Sequence, residues 1–325
     1  MPDQTNLEEF WLTSTSRLFL TNGLITVVSI PVVWWFLDSD VASARFLTEH
    51  EKKQGIERLR ANNSGTGSRE FKMAHVWEAL LEPKSWLFVA MTLCLNVGAA
   101  VTNTFGPLII QGFDVGDAGV SALLNIPFGF VQLAVILPAS WLAHRFRMKS
   151  PFLAGLMVPV LIGLIMLYTL PRSQTGANLA GYYLTAFLFG GNPIIVSWLI
   201  SNIGGSTKKS VIMSLYNAGS SAGNIIGPLL FNLDNAPEYL PGLRSTMAIT
   251  ATLIAVVGIQ VANLFWLNHL QEKKRVANGK PAKIKDLSMI HRYESGLAED
   301  GEEQLGNNAF LDLTDKKNDE FVYVY

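Results

Sequence analysis

The chain has 325 residues, 49% of them hydrophobic and only 16% charged, with a mean hydropathy of +0.27 and a formal net charge of −1. So small a net charge excludes the strong positive field that nucleic-acid binding uses, and no nucleic-acid partner is expected. The one cysteine, Cys94, excludes an internal disulfide and reads as a small buried apolar residue.

The first element is the uncharged run 18–37. It follows Asp3, Glu8 and Glu9, and Arg17 is the only base ahead of it. A secretory signal opens on positive charge, so this run is expected to be a retained membrane span. Next comes the charged segment 38–85. Within it, Thr48 ahead of Glu49 and Glu51 predicts a helix start with an N-cap and acids in the first turn. Residues Asn62-Asn63-Ser64-Gly65-Thr66-Gly67-Ser68 read as a flexible linker. Asn62-Asn63-Ser64 also matches a glycosylation acceptor, expected to be empty on the cytoplasmic side.

Six further runs lack Asp, Glu, Lys, Arg and His: 86–111, 119–143, 152–170, 179–203, 211–233 and 245–268. A helix needs roughly 20 apolar residues to cross a bilayer. The expected fold is therefore an all-α integral membrane protein with seven transmembrane helices, one followed by six. The expected organisation is 1–37 as a short outer start and one span, 38–85 as a central loop, 86–270 as a six-helix half, and 271–325 as a flexible polar tail. The last residues, Phe321-Val322-Tyr323-Val324-Tyr325, either dock on the membrane face or hang free.

Lys and Arg in short loops mark the cytoplasmic side. Segment 38–85 holds eight: Arg45, Lys52, Lys53, Arg58, Arg60, Arg69, Lys72 and Lys84. Loop 144–150 holds Arg145, Arg147 and Lys149, and loop 204–210 holds Lys208 and Lys209. The alternate segments carry only Arg172 and Arg244. An outside N-terminus and a cytoplasmic C-terminus follow, and the plasma membrane is the expected location.

Seven spans also fit a heptahelical receptor, but the chain has no extracellular cysteine pair, no Asp-Arg-Tyr-like triplet and a very long first cytoplasmic loop. The other reading is the last helix of one six-helix half, a central loop and a complete second half, with five helices outside this chain. Several stretches carry it. One is the basic turn Leu142 to Ser150, with His144, Arg145, Arg147 and Lys149. Others are Phe46-Leu47-Thr48-Glu49, Gly106-Pro107-Leu108-Ile109-Ile110, Leu124 to Gly129, and Gly181-Tyr182-Tyr183-Leu184-Thr185. The most specific are Ser197-Trp198-Leu199-Ile200-Ser201-Asn202, Ala222-Gly223-Asn224-Ile225-Ile226-Gly227-Pro228, and Leu313-Thr314-Asp315-Lys316-Lys317-Asn318.

In order and spacing these resemble the allantoate permease-like (anion:cation symporter) branch of the major facilitator superfamily, over roughly residues 17–325. The resemblance implies alternating-access transport of small organic anions or carboxylate nutrients such as allantoate, nicotinate or pantothenate, with protons as the coupled partner. It implies no enzymatic activity. The copy departs from the superfamily's loop signature at His144, where the pattern has Asp. His144, Arg145, Arg147 and Lys149 then read either as a gating turn or as plain positive-inside anchoring.

Polar side chains inside a membrane face protein or a wet cavity. Three spans carry amide pairs seven residues apart: Asn96 and Asn103, Asn125 and Gln132, Asn217 and Asn224. Seven residues is two helical turns, so each pair shares a face. Asn192, Trp198 and Asn202 add polar groups to a fourth span. These nine residues are the candidate small-molecule contacts; the competing reading is hydrogen-bonded glue between helices. Gly219, Gly223 and Gly227, followed by Pro228, form a small-residue ridge for close packing or a hinge. Gly190-Gly191-Asn192-Pro193 is a second weak point.

No ionisable side chain falls inside the six runs, so a proton site or a substrate-binding base has to lie in a first half that this chain lacks. No metal-ligand spacing or phosphate loop is present in the sequence, and no cofactor is expected. A non-transporting membrane sensor, or a partner half that assembles with another chain, is the alternative role.

Overall fold

The computed structural model describes residues 4–38, 44–52, 55, 70–111, 118–231, 238–284 and 311–325, and all the regular structure in them is helical. The chain divides into two units, Met1–Leu59 and Arg60–Tyr325. The linker and the acceptor at Asn62-Asn63-Ser64 lie outside the described residues.

The first unit is one long helix, α1 (Gln4–Phe36), whose stretch Phe19–Phe36 is long and apolar enough to cross a membrane. The hydroxyls of that stretch are satisfied locally. Thr21 donates to Arg17 O, Thr26 to Asn22 O and Ser29 to Thr26 O, which leaves no hydroxyl proton bare toward lipid. Further on, Thr48 and Glu51 cap each other's backbone amides at 2.9 and 3.3 Å. This is the reciprocal capping box that fixes a helix start.

The second unit contains α2 (Met73–Leu81), α3 (Pro83–Gln111), α4 (Ala118–Arg145), α5 (Ser150–Thr169), α6 (Thr175–Thr185), a 3-10 turn (Ala186–Gly190), α7 (Gly191–Ser201), α8 (Ser206–Leu229) and α9 (Leu240–Ala277). One expected span, 179–203, is thus a helix that tightens into a 3-10 segment ending on Gly190. Both glycines are closely packed against neighbouring helices. A Cβ on Gly190 would stand 2.9 Å from Leu156, and one on Gly191 2.7 Å from Leu95. Pro193 sits in the first turn of α7, where no backbone N–H is needed.

Six of the seven expected spans are found. Six helices among the described residues are long and apolar enough to cross a membrane, and the expected seventh is not among them. That segment does form α8, but its sequence holds Lys208, Lys209, Ser210, Ser214, Asn217, Ser220, Ser221 and Asn224. Its apolar face is confined to one side.

That side packs on α3, which is the central helix of the unit and also contacts α9. The glycine ridge makes the α3–α8 approach possible. A Cβ on Gly219 would lie 3.0 Å from Val89, one on Gly223 2.7 Å from Leu93 O, and one on Gly227 2.6 Å from Val97 O. α5 packs on α6 and α9, with Gly163 and Gly181 opposed where α5 and α6 cross. Its other side, including Val158, Ile162 and Ile165, is exposed, as a peripheral span should be. The shared core runs through Phe88, Met91, Leu95, Leu153, Met157, Ile195, Trp198, Leu253 and Leu264.

Of the region beyond the expected boundary at 270, residues 271–284 and 311–325 are described, and 285–310 lie outside the described residues. α9 continues to Ala277, and Leu311–Tyr325 belongs to the compact second unit with Thr314, Asp315, Asn318, Phe321, Tyr323 and Val324 buried.

Candidate functional site

The nine candidate polar residues separate into three groups. In the first, amides are hydrogen-bonded within the helical unit. The Tyr182 hydroxyl on α6 donates to Asn125 Oδ1 on α4 at 2.8 Å, and the Tyr216 hydroxyl on α8 donates to Asn192 Oδ1 on α7 at 3.1 Å. Asn96 is buried and donates back to Thr92 O on its own helix at 2.8 Å. Asn125 and Asn192 are thus bonded between helices, as in the competing reading above, and Asn96 is bonded within its own helix.

The second group faces outward. Asn103 is exposed on α3 and Gln132 half-buried on α4. On α8, Ser210, Ser214, Asn217, Ser221 and Asn224 are all exposed, at spacings of four, three, four and three residues. That spacing is a single stripe along one face. The ridge of Gly219, Gly223 and Gly227 occupies the opposite, packed face. α8 therefore shows a polar face to the outside of the unit, where lipid would leave its amides unsatisfied.

The third group, Trp198 and Asn202, is committed to the tail rather than to an open cavity. The Trp198 indole donates to Val324 O at 2.8 Å. Asn202 donates to Val324 O at 3.0 Å and accepts from Val324 N–H at 2.9 Å. Asn268 on α9 treats Tyr323 the same way, at 2.8 and 2.9 Å. Each amide pairs with a tail residue as a neighbouring β-strand would. Asn202→Leu leaves the Val324 N–H without a partner, and the cost expected for a buried orphan is about 1–3 kcal/mol. Amide exchange should accelerate across 321–325 and stay unchanged in α5.

Beside this pairing lies a buried ionic cluster. Asp315 is wholly buried between Lys84, at the start of α3, and Lys208, at the start of α8. Lys208 Nζ is 2.8 Å from Asp315 Oδ1, 2.8 Å from Glu82 and 2.9 Å from Glu78. Tyr323 donates its hydroxyl to Asp315 Oδ2 at 2.8 Å, and Lys84 Nζ sits 4.7 Å from the centre of the Tyr323 ring. Gly204 N–H and the Gln271 amide bind Asp315 as well, at 3.2 and 2.7 Å. Burial alone would raise the Asp315 carboxyl, but the two ammonium charges outweigh it and hold it well below the usual carboxylate range. The tail thus ties together the ends of α2, α3, α7, α8 and α9.

The basic turn lies at the same end. α4 closes on His144 and Arg145, Arg147 reverses the chain in the left-handed region at φ 56°, and the Lys149 N–H donates to Tyr325 O at 2.7 Å. The Lys149 side chain is buried, with Nζ donating to Ser197 O at 2.9 Å and bonded to the Ser201 hydroxyl. In this structure Lys149 is bonded to α7, and Arg147 is exposed at the turn.

The sequence pattern of the Major Facilitator Superfamily matches residues 11–228 of this chain. The chain belongs to the Major Facilitator Superfamily. It is 31% identical over 309 residues to the MFS-type transporter cnsL of Penicillium expansum, covering 94% of this chain and 58% of that protein. It is 29% identical over 321 residues to the thiamine pathway transporter THI73 of Saccharomyces cerevisiae (96% and 55%). It is 27% identical over 319 residues to the allantoate permease of the same yeast (94% and 54%). The chain thus spans about half the length of the curated relatives it matches. No solved structure matches it.

As an integral membrane protein of this superfamily, the chain uses its three most specific sequence stretches in two ways. Ala222 to Pro228 holds the end of the ridge that seats α8 on α3. Ser197 to Asn202 and Leu313 to Asn318 are bridged by Lys84, whose Nζ donates to both Asn202 O and Asp315. The cluster of Lys84, Lys208, Glu78, Glu82 and Asp315 was not foreseen from the sequence. Its signal was the placement of Lys84 and Lys208 at the mouths of helices that are otherwise almost free of charge.

Proposed function

We infer that this chain supplies the second half, and one first-half helix, of an alternating-access carrier for small organic anions or carboxylate nutrients. The observation that carries the reading is the exposed Ser/Asn stripe of α8. A superfamily protein has to turn such a face toward a wet cavity or a facing half, since hydrocarbon cannot satisfy it. Membership in the superfamily and the names of the relatives support transport as the general role. Similarity to an allantoate permease supports a carboxylate cargo.

In this reading Asn103, Gln132, Asn217 and Asn224 contact the cargo. Asn96, Asn125 and Asn192 hold the helices that present them. Asn amides donate to a carboxylate without needing a charge of their own. Coupling to protons uses a group outside the six-helix half, and the basic end that carries the tail faces the cytoplasm.

The test is aqueous access. In a Cys94→Ala background, Asn217→Cys, Ser221→Cys and Asn224→Cys should react with a membrane-impermeant thiol reagent in reconstituted vesicles. Ile225→Cys, on the adjoining exposed apolar flank, should react far more slowly. A lipid-buried, unreactive stripe would defeat the cavity reading. A second measurement addresses coupling: vesicles holding only these 325 residues should not accumulate labelled allantoate, nicotinate or pantothenate under a pH gradient.

A further inference from the structure

Helix α2 (Met73–Leu81) has no role in the substrate face, yet it is sharply two-sided. One side is fixed to the second unit. His75 and Ala79 are buried, Glu78 and Glu82, just beyond its end, hold Lys208, and Thr314 donates to Glu78 at 3.0 Å. The other side is bare. Met73, Trp77 and Leu81, four residues apart, are 59%, 60% and 78% exposed, and Phe71 just ahead of the helix is 68% exposed.

The bare side continues into the membrane-spanning helix. One residue, Glu82, separates α2 from α3. In the first turn of α3 the Trp86 indole donates to Leu80 O at 2.8 Å, and Trp86 is itself half exposed. Phe71, Met73, Trp77, Leu81 and Trp86 thus form an apolar, aromatic patch at the very edge of a span. The ion pairs on the opposite side prevent α2 from rolling to hide it. The preceding sequence 55–69 offers only Ile56 and Leu59 as large apolar side chains to cover it.

We propose that α2 is an interfacial helix that lies in the surface of the bilayer, with Met73, Trp77 and Leu81 inserted at the boundary between headgroups and acyl chains. Tryptophan and methionine or leucine on one face of a short helix, with acids on the other, suit that depth: the indole keeps its N–H near water while its ring displaces water from the acyl boundary. Through Glu78 and Glu82 the same helix holds Lys208 and, by way of Thr314, the tail. The bilayer surface and the buried Asp315 cluster are therefore joined by one rigid element. This does not depend on which cargo is carried, or on whether any is.

The experiment places an environment-sensitive dye on Trp77→Cys, and separately on Met73→Cys, in the full chain with Cys94→Ala. The protein is reconstituted in phosphatidylcholine vesicles containing lipid with a nitroxide near the acyl carbonyl. Lys283→Cys, an exposed residue after α9, reports the aqueous limit. The expected result is strong quenching by the nitroxide lipid at both α2 positions, with several-fold less quenching by aqueous iodide than at Lys283→Cys. Quenching by iodide alone would place the face in water. Quenching by neither would place it under protein. Either outcome overturns the proposal, and the two α2 positions guard against one variant failing to fold.

Discussion

Asp315→Ala is expected to release residues 311–325 and to destabilise the second unit by about 3–5 kcal/mol, the usual consequence of removing one partner from a buried charge pair. Two ammonium groups, Lys84 and Lys208, are 1% and 0% exposed and meet at this carboxylate. Without it, Lys84 keeps Glu82 at 3.6 Å and Lys208 keeps Glu78 and Glu82, but two buried ammonium groups would share two partly exposed acids. Thermal unfolding in detergent, with limited proteolysis of the tail, reads the effect. Lys317→Ala, an exposed change two residues away, should lie within about 0.5 kcal/mol of the parent. Equal midpoints for the two variants would show that the carboxylate does not hold the tail.

The same cluster sets a pH window. Asp315 has a folded pKa depressed by Lys84 and Lys208, against the upward push of burial. Its contribution is therefore present above its unfolded pKa, about 3.9, and is lost as the pH falls through the folded value. Lys208 is the reverse case. Burial lowers it, Asp315 and Glu82 raise it further, and the net shift is upward. Its contribution is present below its unfolded pKa, about 10.4, and is lost as the pH rises through the folded value. Tail attachment should be flat between about pH 4 and 10 and should weaken on both sides. Exchange protection of the Val324 amide, followed against pH, checks this. A midpoint near neutrality would contradict the assignment.

The second large effect concerns packing. Gly223→Ala should separate α8 from α3 at a cost of about 1–3 kcal/mol or more. The added methyl would sit 2.7 Å from Leu93 O and 2.9 Å from Asn96 Cβ. Leu93 O belongs to helical backbone, which cannot turn aside as a side-chain end can. Gly258→Ala, in α9, meets nothing within 4 Å. It should be neutral or stabilising by about 0.5–1 kcal/mol, since alanine is the better helix former. The opposite signs of two chemically identical changes distinguish steric packing from a general intolerance of substitution. A comparable loss at both positions would sink the ridge argument.

Much of this architecture was legible before any coordinates. The uncharged runs located the spans, because a bilayer penalises every ionised side chain alike and the signal needs no knowledge of neighbours. The capping box at Thr48 and Glu51 was visible for the same reason: it is completed within four residues. The ridge of Gly219, Gly223 and Gly227 announced close packing through its spacing, although its partner helix did not show in the sequence.

The site was only half legible. Asn217 and Asn224 were placed on one face by periodicity, and they share it. The same periodicity could not separate them from Asn125, whose amide is held by a tyrosine on α6. A hydrogen bond between residues 57 positions apart in sequence leaves no local trace. Nor could composition show that α8 falls short of a fully apolar span because its outward face is polar.

The sequence by itself determined that this protein lives in a membrane, roughly where six of its apolar helices lie, and which superfamily it belongs to. These follow from local chemistry read against one uniform solvent. Only the tertiary structure decided the fate of the tail. A polar stretch rich in Asp, Lys and Asn reads as solvated chain, because sequence carries no record of a countercharge 231 positions away. Lys84 and Lys208 meet Asp315 through the packing of helices, and desolvation turns what would be a weak surface contact into the anchor of the second unit.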